Sequence, residues 1–120
     1  MEVEFYVTEA GQEVIAEFLQ SLPPKDMAKV FRDIDLLAEY APNLHEPYTK
    51  HIEGPIWELR SKFSSNIYRI FYFIWHSYSI ICCSYTYCYR IYVFSLFLYF
   101  YLWSIELAKK RLQDYEERYH

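Results

Sequence analysis

The sequence predicts an α+β domain in which an antiparallel β-sheet packs against an N-terminal helical hairpin and is followed by a C-terminal helix. Two early segments carry apolar residues at helical spacing, two central segments alternate apolar and polar residues around a short turn, and the last segment is amphipathic. Because 120 residues is the size of one domain, we assign residues 1–120 to a single domain.

The N-terminal third predicts a short strand followed by two helices. Residues Glu2 to Val7 alternate in polarity, Thr8 is suited to cap the first helix, Pro23 and Pro24 separate the two helices, and Pro42 ends the second. The apolar stripe of the first helix comprises Val14, Ile15, Phe18, Leu19 and Leu22, and that of the second comprises Met27, Val30, Phe31, Ile34, Leu37 and Ala38. Each helix of this hairpin therefore has one face to bury.

The centre of the chain predicts a β-hairpin after a loop over residues 42–55, which contain three prolines and a glycine. Ile56 to Phe63 alternates in polarity, and Ile67 to Trp75 is rich in β-branched and aromatic residues. If Ser64 and Ser65 form a two-residue turn, the register sets Arg60 directly opposite Arg69, whereas a three-residue turn does not.

The segment between this hairpin and the predicted C-terminal helix, Ser104 to Tyr119, has an unusual composition. Residues 77–103 are apolar and aromatic, and Arg90 is the one formally charged residue between Ile70 and Ser104. One interpretation is a further strand over Ser79 to Tyr89 followed by an irregular apolar stretch. A second is a membrane segment over residues 91–103, which at thirteen residues is shorter than a spanning helix needs.

A third interpretation of this block concerns the gene. Of the 28 residues from Ser77 to Ser104, 22 are of types whose codons can begin with T, as a locally shifted reading frame in AT-rich DNA would produce. Sequencing the gene and its relatives across the block tests this hypothesis, and relatives that encode the same residues in an unshifted frame would contradict it.

Charge is distributed unevenly along the chain, whose formal net charge is −4. Residues 1–49 carry three basic and ten acidic side chains, residues 50–90 five basic and two acidic, and residues 91–120 four of each. A locally basic sheet beside an acidic helical half is compatible with a polyanion site on one face, and equally with an ordinary solvated surface.

The cysteines and the start of the chain bear on the cellular compartment that the sequence predicts. Cys82, Cys83 and Cys88 are three in number and lack metal-ligand spacing, so we expect buried thiols, a reducing cytoplasm, no metal site and no cofactor. The alternating residues at the start predict no secretory signal.

Several stretches of the chain resemble one protein family. The run GPIWELRSKFSSNIYRIFYFI, preceded by Lys50 and Glu53, the opening FYVTEAGQEVIAEFLQSLPP with LLAEYAP, and the ending IELAKKRLQDYEERY are similar to RelE/HigB-like toxins of bacterial type II toxin–antitoxin systems, of the phage-derived Gp49-like kind. The resemblance spans about residues 1–76 and 104–119. It implies a RelE-like fold, and a metal-independent, ribosome-dependent mRNA endoribonuclease that inhibits translation. It also implies a cognate antitoxin, commonly a helix-turn-helix protein.

The resemblance and the residues together suggest a site. Because guanidinium groups fork onto phosphate oxygens, Arg60 and Arg69 are the catalytic candidates for stabilising the scissile phosphate, unless both simply pair with Glu58 or Glu53 on the sheet. The RNA-binding candidates are Lys50, Lys62 and Arg90.

The chain also departs from the family pattern. Glu58 stands on a strand where RelE-like toxins carry lysines implicated in activating the nucleophile, and the family's basic stretch is missing between His76 and Ser104. A toxin fold that binds or oligomerises without catalysis, and a small membrane-attached protein, are therefore the alternatives.

Overall fold

The structure, a computed structural model, describes residues 1–41, 43–88 and 94–119. These residues form an α+β fold, as predicted. The strands are β1 (Glu2–Phe5), β2 (Thr49–Glu53), β3 (Ile56–Phe63), β4 (Asn66–Trp75) and β5 (Ser79–Cys88), and the helices are α1 (Val14–Gln20), α2 (Pro24–Tyr40) and α3 (Phe94–Tyr119).

The strands form one sheet in the order β1-β5-β4-β3-β2. Strands β2 to β5 are antiparallel to their neighbours, but β1 runs parallel to β5, with Glu2 beside Ser79 and Phe5 beside Cys82. The sheet is therefore mixed rather than wholly antiparallel. After the helical hairpin the chain re-enters the sheet at β2, on the edge opposite β1, and the antiparallel strands β3, β4 and β5 then lead back to β1.

The two faces of the sheet bury separate apolar clusters. On the hairpin face, α1 and α2 pack on the strands through buried side chains that include Ile15, Leu19, Val30, Leu37, Leu59, Ile70 and Ile80. On the opposite face, which we call the α3 face, the C-terminal helix covers Tyr6, Ile56, Phe71, Phe73, Ile81 and Cys83 through Ile105 and Ala108. Because successive side chains of β3 and β4 point to opposite faces, alternate residues of these strands face each cluster.

Two buried carboxylates of α2 attach this helix to the central β-hairpin. Asp26 accepts hydrogen bonds from the Tyr68 hydroxyl and, at 3.3 Å, from the Asn66 amide. Asp33 Oδ2 accepts hydrogen bonds from Ser61 Oγ at 2.7 Å and from Lys29 Nζ at 2.6 Å. Because each of the two carboxylates accepts hydrogen bonds from two donors, these buried polar groups are satisfied.

The start of α1 differs from the prediction. The helix begins at Val14 rather than after Thr8, and its N-cap residue, Glu13, makes no side-chain capping hydrogen bond. Instead, Thr8 Oγ1 accepts a hydrogen bond from the Gln12 amide at 3.0 Å, so the threonine closes a turn between β1 and α1.

Strand β2 lies inside the segment predicted to be a loop. Lys50 pairs with Glu58 and His51 with Trp57, and Gly54, at φ +52°, makes the turn into β3. The prolines and the glycine of the segment over residues 42–55 flank β2 rather than interrupt it. They indicated a loop, and for this reason the strand was not predicted.

The atypical block contributes a strand and the start of a helix. Strand β5 confirms the predicted strand from Ser79 as far as Cys88; Tyr89 lies outside the described residues. Residues 94–103 are helical rather than irregular, and α3 therefore begins ten residues before the predicted start at Ser104. None of the described helices combines the length and hydropathy needed to cross a membrane.

A bulge in β5 helps to seat α3 on the sheet. The register shifts between Phe71 and Tyr72, which pair with Ser84 and Cys82 and leave Cys83 as the extra residue. Ser84 Oγ then donates a hydrogen bond to the Ser104 carbonyl oxygen at 2.9 Å.

Candidate functional site

The turn between β3 and β4 sets the geometry of the two candidate arginines. Phe63 pairs with Asn66, so Ser64 and Ser65 form the two-residue turn, with Ser64 at φ +56°. Arg60 is therefore directly opposite Arg69, as the shorter of the two predicted turns requires. Both side chains lie on the α3 face, where like charges at this spacing repel each other unless an anion separates them.

The anion is the carboxylate of Glu58, two residues before Arg60 on the same strand face. Its Oε1 atom lies 2.7 Å from Arg60 Nε and 3.5 Å from Arg69 Nε, and the residue is completely buried. Both arginines therefore pair with Glu58, which is one of the two acidic partners considered for them from the sequence. One carboxylate for two guanidinium groups leaves the cluster with a net positive charge.

The first half of α3 covers one side of this cluster. The Tyr101 hydroxyl donates a hydrogen bond of 2.6 Å to Glu58 Oε2, and the Phe97 and Tyr101 ring centroids lie 5.0 and 5.6 Å from the Arg69 guanidinium carbon. Burial, and then the hydrogen bond to Glu58, raise the pKa of Tyr101 well above its ordinary value, so the hydroxyl keeps its proton.

The two arginines differ in how their remaining donors are used. The Arg69 side chain is 15% exposed, and its Nη1 is buried without a hydrogen-bond partner among the described residues. The Arg60 side chain is 32% exposed, and its Nε donates a hydrogen bond to Glu58, whereas its two terminal nitrogens donate none within the part of the chain that the structure describes. The cluster therefore holds guanidinium donors that Glu58 does not use.

A cavity of about 270 Å³ opens beside these donors at the end of the sheet. Its lining includes four basic side chains and one acidic side chain: Lys29, Arg60, Lys62 and Arg69, with Asp33. Asp33 is already bound by Lys29 and Ser61. The cavity is therefore a basic recess of a size that suits a phosphate group and part of the residue attached to it.

The other predicted RNA-binding residues have different positions. Lys62 is exposed and lines this recess, whereas Lys50 is exposed on β2 opposite Glu58, on the same face but outside the recess. Arg90 lies outside the described residues. Glu53, the other acidic residue considered as a partner of the arginines, instead lies 3.2 Å from Lys109 of α3.

Sequence reasoning missed the contribution of α3 to the site. The residues at Tyr101 and Phe97 continue the apolar stripe of the C-terminal helix backwards from Ile105 in steps of four, which is the signal that could have found them. Two tyrosines of the sheet, in contrast, contribute to the hairpin face. Tyr72 is buried there, and the Tyr85 ring stacks on Phe18 at a centroid distance of 3.8 Å.

The arrangement is suited to binding a phosphate rather than a metal ion. Within residues 1–41, 43–88 and 94–119, no three His, Cys, Asp or Glu side chains cluster as metal ligands would. Arg60, which is partly exposed beside the basic recess, can fork onto two oxygens of a phosphate and stabilise charge that develops on it. A carboxylate and a protonated tyrosine hydroxyl adjoin it and are of the types that transfer protons.

Comparison with known proteins supplies the family. A search of curated proteins finds none that matches the chain. The model of the family described as phage derived protein Gp49-like (DUF891) matches residues 17–87, which run from α1 to the end of β5 and contain Glu58 and both arginines. This match covers more than half of the 120 residues. The chain therefore belongs to the phage-derived Gp49-like family, a toxin-like family.

Proposed function

We propose that the chain is a RelE/HigB-like toxin of a bacterial type II toxin–antitoxin system, and that it cleaves mRNA on the ribosome in the cytoplasm without a metal ion. The observation that carries the proposal is the basic recess, where Arg60, Lys62 and Arg69 of the sheet lie beside Lys29 of α2. Membership of a toxin-like family supports it, because a recess for one phosphate would otherwise suit many anionic ligands.

In the proposed reaction the 2′-hydroxyl of one nucleotide loses its proton to a base and attacks the adjacent phosphate. A 2′,3′-cyclic phosphate forms, the bond to the 5′-oxygen of the next nucleotide breaks, and that oxygen takes up a proton from water to leave as a hydroxyl. Arg60 would bind the two non-bridging oxygens, and Arg69 would stabilise the charge that develops on them. Lys62 would hold the neighbouring phosphate, while Lys50 and Arg90 would contact RNA farther along the strand. No cofactor takes part in this scheme.

Glu58 also has a role in the proposal, because its carboxylate occupies the position between the arginines where a phosphate would bind. A phosphate that approaches Arg60 competes with this carboxylate for guanidinium hydrogen bonds. Displaced from Arg60, the carboxylate would be a base of suitable position for the 2′-hydroxyl. The catalytic role of Arg69 additionally requires that Phe97 and Tyr101 move away from its guanidinium group.

The decisive experiment is induced expression in bacteria, with growth and the 5′ ends of cut messages measured together. Arg60→Ala is expected to relieve growth arrest and to lower cleavage about a hundredfold, which is the usual effect of removing one donor to a transition-state oxyanion. Arg60→Lys retains the charge without the fork, so an intermediate loss is expected.

Arg32→Ala is the matched control, because Arg32 is an exposed arginine of α2 that does not line the recess. It should arrest growth as the unchanged chain does. Harmless expression of a folded, unchanged chain, with no cut message on ribosomes, would contradict the enzymatic proposal.

A partner also follows from the proposal. A toxin of this kind requires a cognate antitoxin, and we propose a helix-turn-helix protein encoded next to it. Co-expression of the neighbouring gene should restore growth and yield a complex that co-purifies with the chain.

A second candidate is a binding module that keeps the fold without catalysis. It is favoured by one specific observation: Glu58 pairs with both arginines while α3 covers Arg69. This candidate predicts that the chain binds single-stranded RNA in a salt-dependent manner and leaves it uncut on ribosomes.

A further inference from the structure

Strand β5 has a free edge over its second half. On one side β4 accompanies it along its whole length, from Ser79 to Cys88. On the other side β1 accompanies it only as far as Cys82, where the Tyr6 amide donates the last backbone hydrogen bond, of 2.9 Å, to the Cys82 carbonyl oxygen. Among the described residues no strand lies beside β5 beyond Cys83 on this side.

The departure of β1 from this edge has a local cause. The Tyr6 hydroxyl donates a hydrogen bond of 2.5 Å to Asp114 of α3, and the chain then turns between Thr8 and Gln12, whose backbone groups bond at 3.0 Å. Where β1 would have continued, cavities rather than a strand border β5 among the described residues, and Arg111 Nη1 donates a hydrogen bond of 2.7 Å to the Cys83 carbonyl oxygen. An exposed strand edge of this kind is a template for another extended segment.

Cavities flank this free edge on both sides of the sheet. One, of about 350 Å³, lies on the α3 face, and the other, of about 330 Å³, lies on the hairpin face beside α1. They share Val14, Tyr85 and Tyr87 as lining residues, so they meet along the strand. Because side chains of a strand alternate between faces, a strand added to this edge would direct successive side chains into one cavity and then the other.

The two cavities differ in chemistry. The α3-face cavity is largely apolar, with Phe100 and Trp103 still 44% and 57% exposed, and Arg111 is the charged residue in its lining. The hairpin-face cavity is bordered by Gln12 and Glu17, whose side chains are joined by a hydrogen bond of 3.2 Å. One cavity therefore favours apolar and acidic side chains, and the other favours polar and basic ones.

We propose that the free edge of β5 binds an extended peptide segment of a partner protein by strand addition. The segment alternates apolar or acidic residues, which enter the α3-face cavity, with polar or basic residues, which face Glu17. Backbone hydrogen bonds to β5 provide affinity, and the cavities provide selectivity. This surface is independent of the basic recess, because none of the residues lining the recess borders either cavity.

The test uses the whole chain and a synthetic octapeptide in which Leu and Glu alternate with Thr and Lys. Two isomers are N-methylated on one or the other set of alternate amides, so that only one set can pair with β5. Strand addition predicts that methylation of one set weakens binding by about tenfold per lost hydrogen bond, whereas the other set has little effect. Between Ser84 and Thr86, exchange should slow on binding of the unmethylated peptide only at the alternate amides that do not pair with β4.

Variants on α3 test the cavity separately from the backbone edge. Trp103→Ala should weaken peptide binding several-fold, and Leu102→Ala, at an exposed residue of the same helix that lines neither cavity, should not. Absence of peptide binding, or equal affinities of the two methylated isomers, would overturn the proposal. Slow exchange at these amides without peptide, together with a concentration-dependent dimer, would show that a second copy occupies the edge and would overturn it too.

Discussion

The two faces of the sheet both bury carboxylates against the central β-hairpin, and they satisfy them in different ways. On the hairpin face, Asp26 and Asp33 come from α2 and accept hydrogen bonds mainly from uncharged groups of the strands. On the α3 face, Glu58 comes from the sheet itself and is bound by Arg60 and Arg69.

This difference separates a structural arrangement from one that retains binding capacity. The aspartates join a helix to a hairpin and use the donors around them. Glu58 is outnumbered by its guanidinium partners, so donors remain beside an open recess. Buried charge that is only partly matched is costly, and proteins concentrate it where a ligand completes the set.

The largest expected effect follows from Glu58→Gln, which removes the negative charge and leaves two arginines facing each other. Breaking a buried ion pair by removing one partner destabilises a protein by about 3–5 kcal/mol, and urea unfolding should show a loss in this range. The same change should strengthen binding of a short single-stranded RNA, because Arg60 no longer has a competing carboxylate. A folded variant with weaker RNA binding would contradict the view that Glu58 occupies the anion position.

Asp26→Asn is expected to have a smaller effect on the hairpin face. The amide retains an acceptor oxygen but loses the charge that strengthens the hydrogen bonds from Tyr68 and Asn66, so the loss should be about 1–3 kcal/mol. Asp35→Asn is the control, since this exposed aspartate of the same helix should change the unfolding free energy by less than about 0.5 kcal/mol. If Asp26→Asn altered RNA binding as much as Glu58→Gln does, the proposed division between the faces would be wrong.

Tyr101→Phe tests the contact between α3 and Glu58. Losing the hydroxyl leaves Glu58 Oε2 without this donor, and the expected loss of stability is about 1–2 kcal/mol. Tyr99→Phe, at a residue that is 64% exposed, should be neutral in the same urea titration. A loss no greater than that of the control would show that the hydroxyl does not hold the helix over the cluster.

The smallest expected effect is a loss of stability at alkaline pH that arises on the α3 face. Burial, and then the hydrogen bond to Asp114, raise the pKa of Tyr6 from 10.0 to about 12. Because the folded state holds this proton more tightly, the stabilisation is fully present below pH 10 and disappears as pH rises from 10 through 12. Urea midpoints measured across this window should fall less steeply for Tyr6→Phe; an unchanged slope would exclude Tyr6 as a contributor.

The predicted and the missed features of the site have different physical origins. The facing pair Arg60 and Arg69 was one of two alternatives predicted from the sequence, because a two-residue period and the length of one turn determine which residues are opposite, and the structure has the two-residue turn. The roles of Tyr101 and Phe97 were missed. The aromatic residues around them favour a strand locally, whereas packing against the sheet makes this segment helical.

The same distinction explains the rest of the fold. The boundary at Pro24 and the strand at Ser79 follow from local signals that the tertiary structure does not oppose. Strand β2 and the parallel pairing of β1 with β5 depend on neighbours distant in the chain, so local patterns did not reveal them.

By itself, the sequence determined the order of the two N-terminal helices, the central β-hairpin and the C-terminal helix, and the faces that the helices bury. It limited the register of the hairpin to two possibilities, since these features follow from the periodicity of side chains and from turn residues. Only the tertiary structure decided that Glu58 lies between the arginines and that α3 covers one of them while the other adjoins a recess. It also decided that β1 leaves half of β5 uncovered. The reason is that these features depend on where separate elements come to lie against one another, and a pattern confined to one element does not encode that distance.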